Sequence, residues 1–427
     1  MAVCGNPSLS ASQQDCESTS PEKGILKQTR PNWDGQASAG ICKKTYSTCA
    51  SVPADLRFPG ETAKIPARMQ SPKTNVSKIL IRGTNWLGDA VMTTPALQRL
   101  RASFPDAHLA LLATPRTAGL FEESPFLDEV ILYRRREEGI RAFWATVQTL
   151  RNRQFDLAAL FQNAFEAALL TSLAGIPQRV GFVAQGRSWL LTGRLYRGPQ
   201  HRNRHQIHDY LDIVALCERL CLGAEFQASP DDPLPVLTTS QRQRAAAEAL
   251  RQRYELAATQ PLVALNTAAT NSRAKCWPED RFAALADELS THENARVILI
   301  GAESERANAE RVVQQMKTDG ALNLAGRTSM AELLGLLESC ALLVTNDTGP
   351  AHVAAALGRP TLTLFGPTNE FETAPAGPYA ELMRADGIEC ARCMHRECPI
   401  DHRCMTRLTV AEVFSRARSL LRSASAL

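Results

Sequence analysis

The chain has 427 residues, of which 44% are hydrophobic and 22% are charged. This length exceeds what one hydrophobic core usually supports, so it predicts two domains. The apolar runs are shorter than the roughly 18 residues that span a bilayer, which argues against a membrane-spanning protein. The net charge of +4 is too small for a dedicated nucleic-acid-binding protein, and no nucleic-acid partner is expected.

The first 75 residues are poor in the side chains that build a core. Only nine of them are Ile, Leu, Val or Phe, which is 12%. Such a segment cannot offset the entropy lost on ordering, so residues 1–75 are predicted to form a disordered extension. The start has no charged region followed by an apolar one, so no secretory signal is expected, and we expect a cytoplasmic protein.

From Val76 onward, short apolar runs alternate with helix-length amphipathic segments, which is typical of βα units around a parallel sheet. The first series has predicted strands at 78–82, 108–113, 129–132 and 155–160, with a helix over 90–104. A polar segment with Pro233 and Pro235 indicates a linker. The second series has predicted strands at 262–265, 296–300, 322–324, 341–344 and 361–365. We therefore expect an α/β protein with two Rossmann-like domains, 76–232 and 233–427, that face an interdomain cleft.

The first predicted strand leads through two glycines to Asp89 at the start of a helix. An acid at this position often serves as an N-cap for the first backbone amides. Ligands bind beyond the carboxyl ends of parallel strands, so Asp89 is also placed to act as a general base in the cleft. The two glycines allow close approach of a ligand and favour this second role.

A polar loop follows the first strand of the second series. Its hydroxyl, amide and ammonium groups suit the oxygens of a diphosphate, and they belong to Thr270, Asn271, Ser272 and Lys275. The loop lacks the Walker pattern, so a solvated loop is the alternative interpretation.

The segment Val344–His352 ends another strand in small and polar residues before a helix. Asp347 is predicted to bind sugar hydroxyls, and the backbone amides of Thr348 and Gly349 are predicted to bind a phosphate. His352 follows on the helix. A single histidine in this setting is a candidate ligand-binding residue, but it is more often a buried, hydrogen-bonded one.

Six arginines and no acidic residue lie between positions 179 and 204. They are Arg179, Arg187, Arg194, Arg197, Arg202 and Arg204. Arginine recognises phosphate and carboxylate groups in a bidentate manner, so the series predicts an anion-binding surface, with a solvated face as the alternative. Arg187, Arg194 and Arg202 are the predicted contacts.

Near the end of the chain, four cysteines lie within 15 residues: Cys390, Cys393, Cys398 and Cys404. Four thiolates can close a tetrahedral zinc site, although this spacing matches neither a standard zinc finger nor a ferredoxin. Disulfide pairing and plain thiols are the alternatives. As a structural clip, the segment is expected to take no part in catalysis.

Five stretches together resemble the bacterial ADP-heptose:lipopolysaccharide heptosyltransferases. They read IRGTNWLGDAVMTTPAL, KCWPEDRF, NLAGRTSMAELL, TNDTGPAHVAAALGRPTLTLFGPT and CARCMHRECPIDHRCM. The resemblance covers residues 76–427 and implies the GT-B fold, with an N-terminal acceptor domain, a C-terminal nucleotide-sugar domain and a last helix, near 409–421, that crosses back.

This resemblance also implies the reaction, an inverting transfer of heptose from ADP-heptose to a heptose of the lipopolysaccharide inner core. In the family pattern, Asp89 matches the base, Lys275 the diphosphate ligand and Asp347 the heptose ligand. No cofactor is expected for catalysis, since the chain has no Asp-x-Asp pair. The implied partners are ADP-heptose, a lipid-anchored acceptor and the surface of the inner membrane. The alternatives are another glycan acceptor, as in heptosyltransferase I, and a non-catalytic binding protein of the same fold.

Overall fold

The computed structural model describes residues 76–225, 233–256, 259–270 and 272–424, so the extension predicted over residues 1–75 lies outside it. Two six-stranded sheets form, and all their paired strands are parallel. The first sheet contains β1 (Lys78–Arg82), β2 (His108–Ala113), β3 (Glu129–Leu132), β4 (Leu157–Leu160), β5 (Gln178–Phe182) and β6 (Gly193–Leu195). The second contains β7 (Leu262–Asn266), β8 (Arg296–Leu299), β9 (Leu322–Asn323), β10 (Leu342–Asn346), β11 (Thr361–Phe365) and β12 (Ala380–Arg384).

The two sheets share one topology. Their orders are β3-β2-β1-β4-β5-β6 and β12-β11-β10-β7-β8-β9, which are the same order when each half is numbered from its own first strand. We call residues 76–225 the first half and residues 233–424 the second half. In each doubly wound sheet the strand order reverses between the first and fourth strands, and the crevice there is where ligands bind. These crevices lie between β1 and β4 and between β7 and β10.

Helices cover both faces of each sheet. The first half has α1 (Leu87–Met92), α2 (Thr94–Ser103), α3 (Pro115–Ala118), α4 (Arg135–Arg153), α5 (Phe165–Leu173) and α6 (Ile207–Leu222). The second has α7 (Gln241–Arg253), α8 (Glu279–Glu293), α9 (Arg306–Gln315), α10 (Met330–Ser339), α11 (Gly349–Ala356), α12 (Glu370–Thr373), α13 (Arg403–Thr406) and α14 (Val410–Ala424). Within the part of the chain that the structure describes, no helix combines the length and the apolar character needed to cross a bilayer.

The helix predicted over 90–104 is two helices, α1 and α2, with a break at Thr93. Pro95 is the cause, since it has no N–H to donate to the carbonyl of Val91. The hydroxyl of Thr94 donates to that carbonyl instead, at 3.0 Å. The break ends the short helix α1 soon after Asp89.

The final helix α14 packs on α8 and on strands β10 and β11. Its apolar face, formed by Val413, Ala417, Leu420 and Leu421, is buried in the same core cluster as Trp277 and Phe282. This helix begins one residue later than the segment predicted at 409–421, and its crossing back to the first half stays a prediction.

The two halves meet where α1 packs against α11. A Cβ added at Gly88 would lie 2.8 Å from Cδ2 of His352, and a Cβ added at Gly349 would lie 2.8 Å from Cβ of Leu87. Real Cβ atoms do not approach other heavy atoms so closely. Each helix thus supplies a glycine that receives a side chain of the other, and this lets their backbones come close together.

Gly88→Ala tests this packing. The added methyl group overpacks the contact with His352, and we expect a loss of about 1–3 kcal/mol in the free energy of unfolding. In the double variant Gly88→Ala/His352→Ala the methyl group has room, so its cost should largely disappear in a double-mutant cycle measured by urea unfolding. A cost for Gly88→Ala below about 0.5 kcal/mol, or strict additivity, would contradict the contact.

Candidate active site

The crevice of the second sheet holds a buried ion pair. Asp347 follows β10 and is only 5% exposed. Its Oδ2 accepts hydrogen bonds from Nζ of Lys275 at 2.8 Å and from Oγ1 of Thr368 at 2.8 Å, and Lys275 Nζ also lies 3.3 Å from the Asp347 carbonyl oxygen. Lys275 follows β7 and Asp347 follows β10, so the ion pair bridges the two strands that flank the crevice.

Neighbouring backbone contacts fix the positions of both residues. Oδ1 of Asn346 accepts the backbone N–H of Trp277 at 2.9 Å, which ties the end of β10 to the loop that carries Lys275. The fully buried Trp277 ring donates through Nε1 to the carbonyl of Leu408 at 3.0 Å. The loop after β7 is therefore anchored on both sides of Lys275, although it has little regular structure.

Asp89 reaches this ion pair from the other half. It lies in the first turn of α1, and burial raises the pKa of its carboxyl from 3.8 to about 6. The carboxylate of Asp347 adds to this rise, whereas the ammonium group of Lys275 opposes it. Among the described residues, none donates a hydrogen bond to the Asp89 carboxylate, so it does not act as an N-cap. Asp89 is therefore a carboxylate with a raised pKa in a cleft, as a general base requires.

His352 belongs to α11 of the second half, and its ring lies beside Gly88 of the first half. It is 5% exposed, and burial lowers the pKa of its imidazole from 6.5 to about 4, so it is neutral at pH 7. Its ring packs on Gly88, one residue before Asp89, and its Nδ1 is buried without a hydrogen-bond partner in the described residues. His352 thus contacts the first half directly, and its binding role stays a prediction.

The hydroxyl groups predicted to bind phosphate have other partners. Oγ1 of Thr270 donates to Glu305 at 2.9 Å, and Oγ of Ser272 donates to the carbonyl of Arg396 at 3.5 Å. Asn271 lies outside the described residues. Thr348 pairs with Thr345, with 3.0 Å between their hydroxyl oxygens. Any role of Thr270 and Ser272 in phosphate binding would require these bonds to be exchanged.

Arg187 is not on the surface, which corrects the prediction that it contacts a substrate. Its side chain is fully buried and donates to the carbonyls of Phe182 at 2.9 Å and Ala164 at 3.3 Å, and to Oδ1 of Asn163 at 3.0 Å. Burial lowers the pKa of this guanidinium to about 10. Arg187 therefore binds the loop after β4 to the end of β5.

Two more arginines of the series are neutralised by acids that follow it in sequence. Arg204 forms a bidentate pair with Asp212 at 2.6 and 3.0 Å, and Arg197 pairs with Asp209 at 2.5 Å. Both acids lie on α6, and they neutralise two charges of an arginine series that contains no acid of its own. Arg202 is exposed without a described acidic partner, and the half-buried Arg194 donates to the carbonyl of Leu191.

His201, Asp209 and Asp212 are the one group of three or more metal-ligating side chains found close together in the described residues, with ligand atoms within 4.8 Å of one another. Arg197 and Arg204 already occupy its carboxylates. This arrangement fits an ion-pair network better than a cation site.

The zinc site predicted at the four cysteines stays a prediction. All four are free thiols: Cys390 and Cys393 are exposed, Cys398 is half-buried and Cys404 is buried. They remain near one another, since the other three thiols add to the burial that raises the pKa of Cys404.

The cysteine segment packs on the loop that carries Lys275. The backbone N–H of Ala274 donates to the carbonyl of Arg396 at 3.0 Å, and Nε2 of His402 lies 2.7 Å from the carbonyl of Ala274. This contact was not predicted, since the two segments are more than 100 residues apart in the sequence. Thr368, the third partner of the central ion pair, was also missed, although it lies only 21 residues after Asp347.

Comparison with known proteins identifies the family of this chain. The model for glycosyltransferase family 9, described as heptosyltransferase, matches residues 143–403, which is more than half of the chain. The chain belongs to this family. The predicted resemblance, the GT-B type of fold and the assignment as a glycosyltransferase are therefore confirmed.

Individual relatives agree with this assignment. This family 9 glycosyltransferase is 28% identical over 325 residues to lipopolysaccharide heptosyltransferase 2 of Salmonella typhimurium, covering 72% of this chain and 88% of the relative. It is 27% identical over 353 residues to lipooligosaccharide heptosyltransferase 2 of Campylobacter jejuni, covering 81% and 99%. The structure of ADP-heptose lipopolysaccharide heptosyltransferase II from E. coli matches with a TM-score of 0.68 at 25% identity, covering 82% of this chain and 99% of that one.

The raised pKa of Asp89 predicts the pH dependence of the glycosyltransferase. A general base must be ionised, so kcat/KM should fall as the pH drops below about 6, the value given by burial. In Lys275→Met the ammonium group that lowers the pKa of Asp89 is absent. The residual kcat/KM should therefore begin to fall at a higher pH than in the wild-type enzyme.

Lys317→Met is the matched control, because Lys317 is exposed on the chain segment after α9. It should leave the limb in place. The measurement is kcat/KM over about pH 4.5–8, where most enzymes are stable. If the acidic limb does not shift in Lys275→Met, the observed titration does not belong to Asp89.

Proposed function

We propose that this enzyme is an inverting heptosyltransferase that moves heptose from ADP-heptose to a heptose of the lipopolysaccharide inner core. The observation that carries the proposal is the meeting of Asp89 from one half with Lys275 and Asp347 from the other. The names of the relatives, lipopolysaccharide and lipooligosaccharide heptosyltransferase 2, support the choice of donor and acceptor.

In this mechanism Asp89 accepts the proton of the acceptor hydroxyl. The acceptor oxygen attacks the anomeric carbon of the heptose as the bond from that carbon to the ADP oxygen breaks. A single displacement inverts the anomeric configuration. Lys275 and the backbone amides of Thr348 and Gly349 stabilise the charge that develops on the departing diphosphate, and Asp347 binds the heptose hydroxyls.

Asp89→Asn tests the base. The amide is nearly isosteric but cannot accept the proton, so turnover should fall by roughly 10²–10⁴-fold while ADP-heptose still binds. The assay measures transfer from ADP-heptose by mass spectrometry of the product, and calorimetry measures donor binding. Wild-type turnover in Asp89→Asn, with both substrates bound, would show that another group is the base.

The acceptor is tested by offering two substrates to the wild-type enzyme. Kdo-lipid A that already carries one heptose should gain a second, whereas Kdo-lipid A without heptose should not react. Product from the unsubstituted acceptor alone would favour the alternative, a heptosyltransferase I activity, and product from neither would favour a different glycan.

We further propose that Arg194 and Arg202 bind phosphate or carboxylate groups of the acceptor. Arg202 is exposed, and the residues just after it bond to the second half through Asn203 with Asn369 and Gln206 with Glu372, which places this segment beside the junction of the halves.

Arg194→Gln/Arg202→Gln should raise the acceptor KM several-fold, less at high salt, and leave the ADP-heptose KM unchanged. Steady-state kinetics at two salt concentrations provide the measurement. Arg187→Met is the contrasting variant, since it should lower the melting temperature by breaking buried hydrogen bonds. If the donor and acceptor KM rise equally in the double variant, the two arginines do not bind the acceptor specifically and their role is structural.

We propose no cofactor for the transfer. The cysteine segment acts as a structural clip over the Lys275 loop, where its contacts with Ala274 support such a role. We propose that any zinc held by Cys390, Cys393, Cys398 and Cys404 is structural.

We also propose a cytoplasmic protein that touches the inner membrane from its cytoplasmic side. Helix α4 supports this contact. After a break in the helix at Gly139, its outer surface exposes Ile140 (58%) and Trp144 (54%) beside the exposed Arg141. Apolar and cationic side chains on one helix surface suit a surface of anionic lipid.

A further inference from the structure

An exposed aromatic ring stands next to the proposed base. Trp86 precedes α1 by one residue, and 47% of its surface is exposed, although tryptophan is usually well buried. Its carbonyl accepts the backbone N–H of Ala90 at 2.9 Å, so Trp86 is fixed to the first turn of the helix that carries Asp89.

The loop below Trp86 is held rigidly. The buried Arg82 donates to Oδ1 of Asn85 at 3.2 Å, and its guanidinium also lies 5.3 Å from the centre of the Tyr133 ring. The hydroxyl of Thr117 donates to the carbonyl of Thr84 at 3.4 Å, which ties the loop to α3. A rigid loop can present a side chain in one orientation without a large entropy cost on binding.

A cation lies on the Trp86 ring. The guanidinium of Arg116, on α3, is 5.4 Å from the ring centre. Arg116 is exposed, and no acidic partner for it occurs in the described residues. Other exposed arginines of the first half, such as Arg134 and Arg197, pair with acids. Trp86 and Arg116 thus form a flat apolar surface beside an uncompensated positive charge.

We propose that Trp86 and Arg116 form an acceptor subsite, in which the indole stacks on a sugar ring and Arg116 binds an oxyanion, phosphate or carboxylate, carried by the acceptor. The inference rests on the proposed function. Sugar rings present C–H groups on one face, and these pack on aromatic rings, while a guanidinium recognises oxyanions. The subsite adjoins Asp89, so it orients the hydroxyl that Asp89 deprotonates.

The subsite lies apart from the two arginines that are also proposed to bind the acceptor. It lies at the residue before α1 and on α3, near the carboxyl ends of β1 and β2, whereas Arg194 lies in β6 and Arg202 follows β6. An acceptor held at both places is fixed at two points on either side of Asp89. Two-point binding would set the angle at which its hydroxyl enters the cleft.

The test uses the full-length enzyme with a water-soluble core oligosaccharide, so that membrane contact does not contribute. Trp86→Ala should raise the acceptor KM about tenfold, which is the scale of a stacking contact, and leave the KM for ADP-heptose unchanged. Trp86→Phe keeps an aromatic ring and should recover most of the affinity. Trp189→Ala is the matched control, because Trp189 is a 67% exposed tryptophan of the same half.

Arg116→Gln is measured with the acceptor before and after enzymatic removal of its phosphates. A rise in KM only with the phosphorylated acceptor assigns the oxyanion to phosphate. A rise with both assigns it to a carboxylate, and no rise with either overturns the role of Arg116. Melting temperatures of all variants exclude a folding defect as the cause.

Failure of the subsite and failure of the function are distinguishable. If the wild-type enzyme transfers no heptose to the oligosaccharide, the proposed function fails. If it does transfer heptose, and Trp86→Ala binds the acceptor as tightly as Trp189→Ala does, the subsite is wrong and the function stands.

Discussion

The packing of α1 on α11 is the contact on which the site depends. Asp89 belongs to one half, and Lys275 and Asp347 belong to the other, so no single domain contains the site. Gly88 and Gly349 let the two helices approach closely enough for the three charges to influence one another. Gly88, one of the two glycines that suggested close approach of a ligand, instead receives a side chain of the opposite half, as Gly349 does in the other direction.

The charges at the junction balance one another only in part. Lys275 pairs with the nearly buried Asp347, which also accepts a hydrogen bond from Thr368. Asp89 gains no such partner, and burial therefore raises its pKa. One carboxylate is paired with an ammonium group, whereas the other is unpaired and has a raised pKa. Two neighbouring acids with different environments can take different roles, one binding and one exchanging a proton.

Much of the fold followed from local pattern in the sequence. The strands β1, β2, β3 and β11 lie at the residues that the apolar runs indicated, because fully buried parallel strands are continuous apolar runs. The strand β5 was missed, since Arg179 interrupts it, and the proline break between α1 and α2 was missed because apolar spacing continues across it. Asp89, Lys275 and Asp347 were found because each follows a strand that ends at the crevice.

Side-chain partners were harder to predict. Arg187 looked like a surface cation, but the carbonyl of Ala164 and the amide oxygen of Asn163 that bind it come from a loop more than 20 residues earlier. The acids that pair with Arg197 and Arg204 come later, on α6. In each case the decisive contact joins segments whose proximity exists only after folding.

Residues 236–237, at the start of the second half, bind the start of α2 and the end of α11. The N–H of Val236 donates to the hydroxyl of Thr94 just after α1, and the N–H of Leu237 donates to the carbonyl of Ala356 at the end of α11. Any rotation of the halves about this segment has its pivot beside Asp89. Atoms near a pivot move little and distant ones move far, so the outer rims of the cleft could swing apart to release a bulky product while the reacting groups keep their spacing.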